Sequence, residues 1–145
     1  MQKLIGSIKQ LTPANVEAFL KKPIITNLAT INRDGSPQVT PVWHLYDDEK
    51  IKILSASTAV KVRNIQRDSR VTLSIAGHIE PYQYVLIKGN AVESYNGIWD
   101  FLIAISTHYK GEREGARYAE KAIKETEFCI LTITPTKIDG WCSGE

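Results

Sequence analysis

Two hydrophobic periods alternate along this chain of 145 residues. Near the amino end, Val16, Phe19 and Leu20 recur at the spacing of one helix face. Thr12-Pro13 places a capping hydroxyl before a proline at the first helical position. Lys21-Lys22 suits a helix C-terminus, and Pro23 stops the element. From Ile24 the period shortens toward two. Ile24 to Asn32 is apolar and β-branched, Arg33-Asp34-Gly35-Ser36 carries a hairpin signal, and Pro37 to Tyr46 reads as the return strand. Asp47-Asp48-Glu49 makes the next tight turn, after which Ile51 and Ile53 alternate with Lys52 in a strand from Lys50 to Ser55. The segment predicts a three-stranded antiparallel meander.

Thr58 to Arg67 predicts a helix with Ala59, Val62 and Ile65 inward. Strands follow at Arg70 to Ala76 and Gln83 to Ser94, joined by the loop from Gly77 to Tyr82. Asn96 to Tyr109 predicts a helix whose Ile98, Leu102, Ile105 and Tyr109 share a side. Trp99, Phe101 and Ile103 make it apolar nearly all round, which implies deep burial or a subunit interface. A more polar helix spans Glu112 to Lys124, and a last strand runs from Phe128 to Thr134, closed by Pro135. Six short strands with turns every 8–12 residues or so, plus helices at one edge, predict one α+β domain over residues 1–145 built on a closed antiparallel barrel.

Composition narrows the function. Lys and Arg total 18 against 16 Asp and Glu, a net charge of +2 that is too small for a dedicated binder of nucleic acid or anionic membrane. The apolar stretch around Ile98 to Ile105 is too short to cross a bilayer and contains Asp100. Met1 to Lys9 holds no long apolar run, so no secretory leader and a cytoplasmic location are expected. Cys129 and Cys142 fit neither a zinc site nor a disulfide framework, and His44, His78 and His108 lie far apart. No metal site is expected.

Chemistry concentrates in Ser55-Ala56-Ser57-Thr58-Ala59-Val60-Lys61-Val62-Arg63-Asn64, where a strand ends among small hydroxyl side chains and a helix begins. A helix N-terminus offers free N–H groups and partial positive charge to a phosphate. Ser57 or Thr58 is the expected cap, Lys61 falls in the first turn, and Asn64 lies one turn on, on nearly the same face. A plain capped surface helix explains the same residues. In Gln38-Val39-Thr40-Pro41-Val42-Trp43 a proline interrupts a strand. It marks either an edge strand or, with Trp43 beside it, the floor of a slot for a flat aromatic ring.

In order, these segments resemble the flavin-binding split-barrel superfamily related to pyridoxamine 5′-phosphate oxidase, and within it the branch that uses the deazaflavin coenzyme F-420. The matching blocks are Asn27 to Ile31 with Asp34 to Pro37, Gln38 to Trp43, Ala59 to Ile65 with Asp68 to Val71, and Pro81 to Gly89. The resemblance runs from about Leu20 to Trp141 and implies a six-stranded antiparallel Greek-key split β-barrel with flanking helices. It further implies a homodimer with two cofactors in clefts between the subunits. Gln38, Val39, Thr40, Pro41, Val42 and Trp43 would lie along the ring, and Ser55, Ser57, Thr58 and Lys61 around the phosphate. Tyr82 and Tyr84 would reach the ring from the other subunit. FMN-binding oxidases of the superfamily tend to carry Ser-Arg-Lys where this chain has Ala59-Val60-Lys61, so two phosphate ligands are missing. That departure favours the deazaflavin, whose anionic tail suits Lys61, Arg63 and neighbouring basic residues, and leaves FMN as the alternative.

The resemblance implies an oxidoreductase passing hydride between coenzyme F-420, or FMN, and a small conjugated substrate. No side chain is marked out as a general acid: solvent, Tyr82 or His78 are the options, and His78 reads first as an exposed loop residue. Trp141 either covers the ring or packs on the barrel. A non-catalytic flavin carrier or sensor on the same barrel is the competing class. A small nucleic-acid-binding barrel would need a basic, aromatic face that the charge balance does not provide.

Overall fold

The computed structural model describes residues 8–143; residues 1–7, on which most of the leader expectation rests, lie outside the described residues. Elements follow in the order β1 (Ile8–Gln10), α1 (Pro13–Leu20), β2 (Thr26–Ile31), β3 (Pro37–Val42), β4 (His44–Asp47) and β5 (Lys50–Ala56). Then come α2 (Val60–Arg67), β6 (Arg70–Ala76), β7 (Tyr82–Ser94), α3 (Ile98–Lys110), α4 (Glu112–Glu125) and β8 (Phe128–Ser143). The first helix starts as its sequence dictates: Thr12 is the N-cap, its hydroxyl accepts from the Asn15 N–H at 3.2 Å, and Val16, Phe19 and Leu20 are buried.

Every strand pairing is antiparallel, and the sheet runs β3-β2-β6-β7-β8-β5-β4 with β1 added on β8. Strands β3 and β4 are consecutive in sequence, separated by Trp43 alone, yet they sit at opposite ends of that order. One residue spans only about 3.5 Å of extended chain. The sheet must therefore curl until its two ends meet at Trp43. The result is a split barrel of α+β class, with a seam where β3 and β4 pass each other without pairing to each other.

The strand expectations are corrected in detail. Eight strands form among the described residues where the pattern suggested six. The return strand from Pro37 to Tyr46 breaks at Trp43: its first half pairs back onto β2 and its second half forward onto β5. Pro135 does not close the last strand. It stands opposite Gly89, just where the β7–β8 register shifts after Lys88, and a bulge is the place where a ladder tolerates a residue without an N–H. Strand β8 continues to Ser143 and there pairs with β1, which the pattern did not predict.

Alternation along the strands fills the barrel with Leu28, Ile51, Ile53, Leu73, Ile75, Val85, Ile87, Leu131 and Ile133, all at most 1% exposed. Phe19 and Leu20 of α1 and Val62 and Ile65 of α2 join that core. Leu102, Ile105 and Ala119 are buried outside it, between α3, α4 and the barrel wall. Gly115 lets the two helices touch: a Cβ there would lie 2.7 Å from the Ser106 carbonyl.

Candidate functional site

Two polar devices fix the seam. His44, fully buried, lies on β4 directly after Trp43. Its Nε2 stands 2.7 Å from the Leu20 carbonyl and its Nδ1 2.6 Å from the Thr26 hydroxyl. A carbonyl only accepts, so Nε2 carries the proton; burial keeps the ring neutral, and Nδ1 therefore accepts from the Thr26 hydroxyl. Burial pushes its pKa below the usual histidine value, against the smaller opposing effect of the Leu20 bond and with the help of nearby His108. Tyr109 of α3 supplies the second device. Its hydroxyl donates to the Ile24 carbonyl at 2.8 Å and accepts from the His44 backbone N–H at 3.0 Å. Its ring stacks on Trp43 with centroids 4.8 Å apart and planes 8° from parallel. Trp43 also meets Tyr118 of α4 at 5.5 Å, and the Lys110 ammonium lies 5.3 Å from the Tyr118 ring.

Beside this seam opens a cleft of about 400 Å³, lined by Ile25, Pro41, Val42, Trp43, Leu54, Ser55, Ala56, Lys61, Ile105, Ser106, Tyr118 and Phe128. Its walls are the end of β3, the end of β5, the start of α2 and the α3–α4 pair. No carboxylate lines it, and Lys61 is its one lining cation among the described residues. Lys61 is half-buried, enters no ion pair or hydrogen bond among the described residues, and has its pKa lowered by burial, an effect that nearby Cys129 partly offsets. A desolvated, unpaired ammonium is a costly group to keep unless an anion answers it.

The capping expectation for this segment is overturned. Helix α2 starts at Val60 with Ala59 as an N-cap that makes no side-chain bond. The Ala59 N–H bonds the Ala56 carbonyl at 3.1 Å, and the Ser57 N–H bonds the Glu127 carbonyl at 2.9 Å. That backbone turn consumes Ser57 and Thr58 before the helix begins. The N–H groups of Val60 and Lys61 precede the first bond back to Ala59 and have no backbone partner among the described residues.

Of the residues singled out from sequence, the cleft gathers Pro41, Val42, Trp43, Ser55 and Lys61. Gln38, Val39 and Thr40 lie further along β3, with Val39 60% exposed, and do not line it. Pro41 does sit on an end strand, so its missing N–H costs no ladder bond. Ser57 and Thr58 lie in the turn beside the cleft without lining it. Arg63 and Asn64 lie along a separate groove with Asn32, Arg33, Asp34, Val60 and Arg67. Asn64 is buried, donates to Thr30 and Asn32 at 3.0 Å each, and accepts from Arg67 at 2.9 Å; its amide ties α2 to β2. Tyr82 and Tyr84 are on β7, away from the cleft of their own chain. Tyr84 stacks on Trp141 at 5.2 Å, which puts that tryptophan against the barrel, while Tyr82 is largely exposed. His78 is exposed in the β6–β7 loop.

The α3–α4 wall escaped the sequence reading. Ser106 is the informative member: it is buried, lines the cleft, and its Oγ is the only buried side-chain polar atom without a partner among the described residues. Its position four residues after Leu102 puts a hydroxyl on the helix face otherwise reserved for Leu102 and Ile105, a signal present in the sequence.

A curled antiparallel sheet split at one seam, with an acid-free cleft beside the seam, defines a split-barrel protein of the flavin-binding type of architecture. The chain belongs to the pyridoxamine 5′-phosphate oxidase family, whose model matches residues 12–142. Among solved structures it is similar to an F-420 reductase at 24% identity, over 84% of this chain and 94% of that one, with a TM-score of 0.69. A FAD-binding protein from Mesorhizobium loti matches at 16% identity and TM-score 0.70, over 96% of this chain and 98% of that one. A conserved hypothetical protein from Mycobacterium tuberculosis matches at 21% identity and TM-score 0.75, over 97% and 90% of the two chains. Among the described residues no helix is long and apolar enough to cross a membrane.

Proposed function

We propose that this protein is an oxidoreductase that holds a phosphorylated flavin-type cofactor in the cleft beside Trp43, coenzyme F-420 in preference to FMN, and acts on a small conjugated substrate. The observation that carries the reading is Lys61: among the described residues, a half-buried cation without an anion, in a cleft that no carboxylate lines. The lining fits one phosphate ester group and a flat ring. Lys61, through its ammonium and its free backbone N–H, would hold the phosphate, and Pro41, Val42 and Trp43 would lie along the ring. The missing second and third phosphate ligands, where the chain has Ala59 and Val60, favour the deazaflavin over FMN.

When bound, such a cofactor supplies or accepts hydride; the protein's part is to position the ring and exclude water. Stacking on Tyr109 holds the Trp43 plane fixed, and Val42, Ile105 and Phe128 keep the cleft walls apolar. A homodimer completes the reading. Val39, Leu86, Val92 and Ile138 leave apolar side chains exposed on the outside of the sheet, and Tyr82 is available to reach a neighbouring subunit's ring. A non-catalytic carrier built on the same cleft has one observation in its favour: among the described residues, no histidine or carboxylate lines the cleft to deliver a proton.

Side-by-side equilibrium titration of the apo protein with FMN and with coenzyme F-420 tests the proposal. Tighter binding of the deazaflavin supports it, tighter FMN binding reverses the cofactor ranking, and binding of neither overturns it. Tight cofactor binding with no turnover by any donor would establish the carrier.

A further inference from the structure

Polar side chains buried in this fold are satisfied almost without exception. His44 and Thr26 bond each other, Asn64 bonds Thr30 and Asn32, and Ser55 donates to the Ala56 carbonyl at 3.0 Å. Ser106 stands apart. It sits in the middle of α3, where a serine ordinarily returns its hydroxyl to the carbonyl one turn back, and it does not do so. Neither does α4 answer it: that helix meets Ser106 through Gly115, which has no polar side chain, packed against the Ser106 backbone. An orphaned buried hydroxyl is selected against in a merely structural position, because alanine would fill it without the desolvation cost. This one belongs to the lining of the cleft, on a different wall from Lys61, among side chains that are otherwise apolar or aromatic: Ile105, Trp43, Phe128 and Tyr118.

From this we infer that Ser106 is a ligand-recognition residue, whose hydroxyl donates to an acceptor atom on the uncharged planar part of the cofactor that Lys61 anchors by its phosphate. The inference rests on the cofactor reading above and adds a specificity element to it. A ring that presents a carbonyl or ring nitrogen satisfies the hydroxyl. A ring of the same shape without an acceptor leaves it unpaired and is rejected for that reason.

The test compares wild-type protein with Ser106→Ala in two measurements: the melting midpoint of the apo protein, and equilibrium dissociation constants for FMN and coenzyme F-420. The expected result is an apo midpoint unchanged or raised, together with about two- to tenfold weaker cofactor binding, the range of one uncharged hydrogen bond. The loss should persist in the Lys61→Ala background, because the two groups act at separate parts of the ligand. Unaltered affinity in Ser106→Ala overturns the inference while leaving the cofactor reading intact. A marked fall of the apo midpoint also overturns it, since the hydroxyl would then serve the fold. If wild-type protein binds neither cofactor, the reading beneath fails and the inference with it.

Discussion

Lys61→Ala removes the cation from the cleft, and the structure sets two opposite consequences. For cofactor binding, a hydrogen bond to a charged group is worth roughly 1.5–3 kcal/mol. Each 1.4 kcal/mol or so is a factor of ten, so affinity should fall by about ten- to a hundredfold. For the apo protein, the change should cost nothing. Burial lowers the Lys61 pKa below its ordinary value of 10.5, and no ion pair or hydrogen bond among the described residues compensates. Between the lowered folded value and 10.5 the unfolded chain binds more protons, so this group makes stability rise with pH across that window and weighs against folding below it. Lys61→Ala should therefore leave the neutral-pH melting midpoint equal or higher. Fluorescence titration and thermal melting read the two effects separately. Lys52→Ala is the control for general loss of charge, its ammonium being paired at 3.9 Å with Asp47 outside the cleft. Binding should also weaken as pH rises through the lowered Lys61 value, and Lys61→Arg should abolish that dependence, because a guanidinium stays charged. Unchanged affinity in a folded Lys61→Ala protein would place the phosphate elsewhere and refute the reasoning.

Three further outcomes follow from the same geometry. His44 is neutral in the fold with its pKa depressed, so the stability it contributes is present above its ordinary 6.5 and is lost as pH falls below that value; urea unfolding from about pH 8 to about pH 5 should show a decline that His44→Gln flattens. Gly115→Ala should destabilise by about 1–3 kcal/mol, because its methyl would lie 2.7 Å from the Ser106 carbonyl and force α4 away; calorimetry measures the loss, and a neutral result would mean the helices slide freely. Light scattering at micromolar concentration should give about twice the mass of one chain, and a clean monomer would remove the shared-cleft part of the proposal.

How far the sequence alone reached can be read element by element. Helix α1 and strand β6 were legible because their signals are local: a Thr12-Pro13 cap with apolar residues at helical spacing, and strict alternation from Arg70 to Ala76. The break at Trp43 was not legible, because Pro37 to Tyr46 is one continuous β-forming run. What splits it is the curl of the whole sheet, which brings β3 and β4 to opposite ends, and only tertiary pairing specifies that. Strand β8 was cut short at Pro135 for a related reason. The proline is a stop signal in isolation, and the bulge beside Gly89 that accommodates it lies in a strand more than forty residues earlier.

For the site, the same distinction between local and long-range information decides what could be seen. Lys61 and Pro41 to Trp43 were visible because each sits at a local discontinuity, a strand end or a strand proline. Ser57 and Thr58 were wrongly given the cap because composition marks a cap only to within a residue or two; here one backbone bond, Ala59 to Ala56, moves the helix start past both hydroxyls. The α3–α4 wall was read only as buried or interfacial surface, since nothing in its helical period says which other element it faces. That wall is nonetheless what makes a closed cleft out of an open strand edge. Tyr109 binds α3 to the seam through Ile24 and His44 and braces Trp43 by stacking, and Gly115 draws α4 close enough for Tyr118 to reach the same tryptophan. The residues proposed to hold the cofactor thus depend on a scaffold more than forty residues further along the chain. Tyr109→Phe separates the two roles: it keeps the stacking ring and removes the bonds to Ile24 and His44. It should cost about 1–3 kcal/mol of stability, the penalty for leaving buried backbone groups unpaired, measurable by urea unfolding. Loss of cofactor affinity in Tyr109→Phe at temperatures where it stays folded would show that the seam positions Trp43, whereas full affinity would mean that stacking alone suffices.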